Sequence, residues 1–119
     1  MRPAALLVAL AALAVTAVDA RAHASLDRAN PRVGSTVASA PRALSLWFTE
    51  NLEPAFSTIE VRNAAGARVD QGRARLGGTR NLLQIGLKPL PPGTYQVRWR
   101  VLSVDTHVTE GAFSFQVSQ

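Results

Sequence analysis

Alternation in Thr94–Leu102 constrains the fold of this chain more than any other feature. Tyr95, Val97, Trp99 and Val101 share one parity, and Gln96, Arg98 and Arg100 share the other. Successive side chains of an extended chain point to opposite faces, so this segment can bury one face and wet the other only as a β-strand. The same period returns in residues 43–50 (Leu44, Leu46, Phe48), 57–62 (Ile59, Val61), 82–87 (Leu83, Ile85, Leu87) and 112–117 (Phe113, Phe115, Val117). Asn30-Pro31, Ala40-Pro41, the stretch Asn63 to Gly66, Gly77-Gly78 and Pro91-Pro92-Gly93 supply the turns between them. Outside residues 1–22 no segment carries a sustained 3.6-residue apolar period. Short strands about ten residues apart predict an all-β domain, a small antiparallel Greek-key sandwich or barrel. Residues 66–81, rich in Gly and Arg and poor in large apolar side chains, are expected to form a long mobile excursion between strands.

Residues 1–22 read differently. Arg2 precedes an apolar stretch from Ala4 to Val18, which is shorter than the roughly 20 residues a membrane span needs. Ala20-Arg21-Ala22 then offers the small-x-small pattern behind which signal peptidase cuts. We therefore expect a cleaved signal peptide at 1–22 and one mature domain at 23–119, with no membrane insertion of the mature chain. Ala22-His23-Ala24 satisfies the same rule, and cleavage after Ala24 would discard His23. The chain has no cysteine, which excludes disulfides, thiolate ligands and iron–sulfur clusters. The formal net charge of +5 becomes +4 once Arg2, Arg21 and Asp19 are removed. Its arginines are dispersed from Arg28 to Arg100, a solvated-face pattern that argues against nucleic-acid binding.

Only two histidines occur, His23 and His107. Cleavage after Ala22 would make His23 the first mature residue. Its α-amine, with an ordinary pKa of about 7.7–8.0, and its ring Nδ1 could then chelate one metal ion together. His107 closes Asp105-Thr106-His107, between the strongest strand and the last one. If that tripeptide is extended, Asp105 and His107 project to one face. The carboxylate can ligate a metal directly or accept the ring N–H and fix the tautomer. A plainer reading makes Asp105 and Thr106 turn formers, His107 a surface residue and His23 part of a frayed terminus. One amine, two imidazoles and a carboxylate suit Cu(II) in tetragonal geometry, with Zn(II) as competitor. Glu50 ends an alternating segment and reads either as a solvated charge or as a fourth or outer carboxylate; Glu53 and Glu110 are weaker cases. There is no catalytic serine or cysteine constellation and no phosphate-binding glycine motif, so no enzymatic activity is expected.

His23-Ala24, Asn30-Pro31-Arg32-Val33-Gly34, the run Leu46–Leu52, the run Leu90–Trp99, Ser103-Val104-Asp105-Thr106-His107 and Gly111-Ala112-Phe113-Ser114-Phe115 occur in that order. As an ordered set they resemble the CopC-like periplasmic copper-binding proteins of bacterial copper handling. The resemblance covers essentially all of residues 23–119. It implies a cupredoxin-like or immunoglobulin-like β-barrel or sandwich and a Cu(II) site built from His23, Asp105 and His107, with Glu50 as an additional or outer ligand. It further implies a periplasmic location, a role in copper sequestration, resistance or delivery, and an inner-membrane copper permease as partner. Some members of that family also hold Cu(I) in a methionine-rich loop. The single methionine here is Met1, and residues 63–80 contain neither methionine nor histidine, so no thioether site is expected. Two other functions compete. One is the histidine copper brace of oxidative polysaccharide-cleaving enzymes, and the other is a metal-free β-sandwich interaction module.

Overall fold

The computed structural model describes residues 24–118; the leader 1–22 and His23 lie outside the described residues. Eight strands form among the described residues: β1 Leu26–Asn30, β2 Thr36–Val37, β3 Ala43–Phe48, β4 Thr58–Arg62, β5 Arg75–Leu76, β6 Leu82–Gly86, β7 Gly93–Leu102 and β8 Val108–Val117. They make two four-stranded sheets, ordered β1-β3-β6-β5 and β2-β8-β7-β4. Two separate sheets make a sandwich rather than a closed barrel. All pairings are antiparallel except β2 with β8, which run parallel.

The alternation settles which faces meet. Tyr95, Val97, Trp99 and Val101 of β7 are buried, and Thr94, Gln96, Arg98 and Arg100 are exposed. Leu44, Leu46 and Phe48 of β3, with Leu83 and Ile85 of β6, face them from the other sheet. Phe48 meets Trp99 edge-on, with ring centroids 5.1 Å apart, a contact that joins the two sheets. Each such fully buried side chain stabilises the fold by about 1.5–3 kcal/mol. The outward face of β3 is partly covered as well: the Arg28 guanidinium lies 3.7 Å from the centre of the Trp47 ring, and Gln84 Nε2 donates to Ser45 Oγ at 2.8 Å.

Residues 66–81 correct the sequence reading. They do not form a free excursion but cross from one sheet to the other. Val69 N–H donates to the Val61 carbonyl of β4 at 2.8 Å, Gln71 N–H donates to Gly86 of β6 at 2.9 Å, and β5 pairs with β6. A buried carboxylate organises the crossing. Asp70 accepts from the Val61 amide at 2.8 Å, from Arg68 Nε at 2.8 Å and from the Gly72 amide at 3.0 Å. Val69 and Ala74 reach the core, but hydrogen bonds to a charged side chain organise the segment, and without a period of large apolar side chains it looked empty of structure.

Two further strands escaped the period. β1 has a register irregularity between Leu26 and Arg28 that breaks its alternation, and β2 is two residues long. β8 begins four residues before the aromatic run because its first inward positions are Thr109 and Gly111. Gly111 is small for a reason: a Cβ there would lie 2.5 Å from Trp99 Cζ2.

Candidate metal centre

β7 ends at Leu102, and the next residue on its inward parity is Ser103, which is 0% exposed. From it the chain turns sharply. Thr106 N–H donates to the Ser103 carbonyl at 2.8 Å, and Ser103 N–H donates to the His107 carbonyl at 3.0 Å. Thr106 has φ +72°, in the left-handed region that non-glycine residues seldom enter. Asp105 and His107 are therefore not brought together by an extended chain, as alternation suggested. A tight turn does it instead, and places His107 Nδ1 3.4 Å from Asp105 Oδ1.

Both side chains stay reachable: Asp105 is 41% exposed and His107 48%. The Ser103 hydroxyl donates to Asp105 Oδ1. That bond holds the carboxyl below the usual carboxylate range; partial desolvation opposes it, and the neighbouring His107 adds to it. An ionised carboxylate beside an imidazole fits a divalent ion. Nitrogen and oxygen donors each about 2.05 Å from one ion stand about 2.9 Å apart at a right angle and about 3.3 Å apart at the tetrahedral angle. The observed 3.4 Å needs only small side-chain rotations to meet either geometry.

Glu50 lies in the bend after β3 and is half-buried. Its neighbours are tied down on both sides. Thr49 N–H donates to the Ser25 carbonyl at 2.9 Å, and Asn51 O accepts from the Val104 amide at 3.0 Å. The bend thus lies between the start of the described chain and the Asp105 turn. Among the described residues, however, no three His, Cys, Asp or Glu side chains stand close enough to hold an ion, so Glu50 is not gathered with Asp105 and His107.

The start of the described chain is pinned at the same end of the sandwich. Ala24 is 1% exposed. Its carbonyl accepts from Thr109 Oγ1 at 2.7 Å, two residues beyond His107. Ser25 N–H donates to Thr49 Oγ1 at 2.9 Å. The motif singled out Asp105 and His107 but passed over Ser103, Thr109 and Thr49. For Ser103 a signal was available: a hydroxyl continuing the inward parity of Tyr95, Val97, Trp99 and Val101 needs a partner inside.

The architecture is thus a two-sheet β-sandwich with an aspartate–histidine turn and the beginning of the described chain at one end. The CopC domain family matches residues 26–118, and the chain belongs to that family. It is 34% identical over 117 residues to copper resistance protein C of Xanthomonas campestris pv. juglandis, covering 92% of this chain and 91% of that protein. The crystal structure of CopC from Methylosinus trichosporium OB3b superposes with a TM-score of 0.76 at 33% identity, covering 81% of this chain and 94% of that one. Copper transport protein CutJ of Bacillus subtilis is 30% identical over 100 residues, which make up 82% of this chain but 18% of CutJ.

Proposed function

We propose that this chain is an exported Cu(II)-binding protein of the periplasm that sequesters the ion or hands it on. In this reading residues 1–22 are removed, and mature His23 contributes its α-amine and imidazole. Asp105 and His107 complete the ligand set, and Glu50 acts from outside it. The observation that carries the reading is the Asp105–His107 pair, 3.4 Å apart, at the end of the sandwich where Thr109 holds Ala24. His23 directly precedes Ala24 in the sequence, and the docking of Ala24 by Thr109 supports its ligating role in this reading. The donor set supports Cu(II), which stands highest for nitrogen-rich sites among the divalent first-row metals.

The names of the relatives support the same direction: one is a copper resistance protein, and the far longer CutJ is a copper transport protein. A domain like this one within a longer transport protein supports a membrane copper permease as the partner that receives the ion. We read the protein as a carrier rather than an oxidative enzyme, because the Asp105 carboxylate stands beside His107, where dioxygen would have to bind.

The test combines mass spectrometry of the exported protein with thermal unfolding. His23 should be the first residue, and a stoichiometric excess of Cu(II) should raise the melting temperature by mass action on the native state. A different first residue, or a melting temperature that ignores Cu(II), would end this reading.

A further inference from the structure

We propose that Ser103 is the positioning residue of the metal centre: its buried hydroxyl grips Asp105 Oδ1 and so presents the carboxylate to the ion in one orientation. The inference deepens the Cu(II) reading above and rests on it.

Three observations carry it. First, Ser103 is 0% exposed, so its hydroxyl must find a partner within the protein. Second, the possible acceptors are Asp105 Oδ1 and the His107 carbonyl. That carbonyl already accepts the Ser103 N–H at 3.0 Å and stands 3.3 Å from the hydroxyl. The carboxylate is charged and the carbonyl is both neutral and distant, so the single hydroxyl proton goes to the carboxylate. Third, Asp105 sits at a turn, 41% exposed, where hydrogen bonds fix its torsions: the Ser103 hydroxyl leads, and the His107 ring and backbone amide add to it. Of these partners Ser103 is the fully buried one, so its bond anchors that rotamer to the sandwich core.

The consequence is preorganisation. A carboxylate that already points correctly loses less rotational freedom when the ion arrives. Outer partners of this kind are typically worth about 10–100-fold in metal affinity. The same bond ties the end of β7 to the ligand, so the sandwich core, through Val101 and Ser103, sets where the carboxylate stands.

A double-mutant cycle on the exported, metal-free protein tests the proposal, with Cu(II) alone as the probe. Ser103→Ala, Asp105→Ala and the double variant are titrated against a competing chelator. The Cu(II) electron paramagnetic resonance spectrum and near-ultraviolet circular dichroism are recorded for each. Ser103→Ala should weaken binding about 10–100-fold and change the Cu(II) hyperfine splitting. In the Asp105→Ala background the same change should weaken binding no further, because its effect passes through that carboxylate. Equal losses in the two backgrounds would assign Ser103 a purely structural part and overturn the proposal. So would wild-type affinity in Ser103→Ala. Unchanged binding in Asp105→Ala alone would remove Asp105 from the ligands, a separate failure visible in the single variant, and the proposal would fall with it.

Discussion

Thr109→Val isolates the tether at the start of the described chain. Valine keeps the volume and β-branching of threonine, so the packing of β8 is retained and only the hydroxyl is lost. That hydroxyl donates to the Ala24 carbonyl at 2.7 Å, in a residue 1% exposed. A neutral hydrogen bond contributes about 0.5–1.5 kcal/mol net, and a buried carbonyl left without a donor costs about 1–3 kcal/mol. Docking of Ala24 should therefore weaken by about 1–2 kcal/mol. β1 itself stays paired, because Ser25 and Thr49 keep both of their mutual bonds at 2.9 Å. If ligation by His23 needs Ala24 docked, apparent affinity falls in proportion to the docked fraction, by up to about 5–30-fold. The assay is a Cu(II) competition titration at neutral pH, paired with urea unfolding of the metal-free protein. Stability lowered by about 1 kcal/mol with affinity unchanged would refute the reasoning, since the tether would then serve the fold and not the ligand.

His107→Ala should cost more than about 100-fold in Cu(II) affinity, because a lost ligand outweighs a lost outer partner, while urea unfolding of the metal-free protein stays near wild type. Asp70→Asn should destabilise the metal-free protein by about 2–4 kcal/mol, read by urea unfolding, since it leaves Arg68 and two amides without their carboxylate. Burial alone would raise the Asp70 carboxyl, but the Arg68 hydrogen bonds, the Val61 and Gly72 amides and the Arg68 charge hold it below the usual range. Its stabilisation is then complete above the ordinary carboxylate value and is lost as pH falls through the lowered one, so Asp70→Asn should flatten the acid limb of the stability–pH curve. Gly111→Ala should cost about 1–3 kcal/mol and alter tryptophan fluorescence, because its Cβ would press on the Trp99 ring.

The legible parts of the fold are those with a period. β3, β4, β6, β7 and the second half of β8 announce themselves through alternation, and their inward residues form the core as expected. β1, β2 and the 66–81 crossing were hidden, because a bulge, a two-residue length and a buried Asp70 leave no apolar rhythm. The start of β8 was hidden because Trp99 demands a glycine where the period would want a large side chain. Asp105 and His107 were legible as a motif, though a turn at Thr106 and not an extended chain unites them.

Taken alone, the amino-acid sequence determined an all-β domain, the parity of its main strands and an aspartate two residues before a histidine. Each is a short-range property, carried by neighbours in the chain. Tertiary structure decided that Ala24 meets Thr109, 85 residues away, that Ser25 meets Thr49, 24 residues away, and that both contacts fall beside the Asp105 turn. Such contacts arise from how two sheets close over a shared core, and no local pattern of residues encodes them.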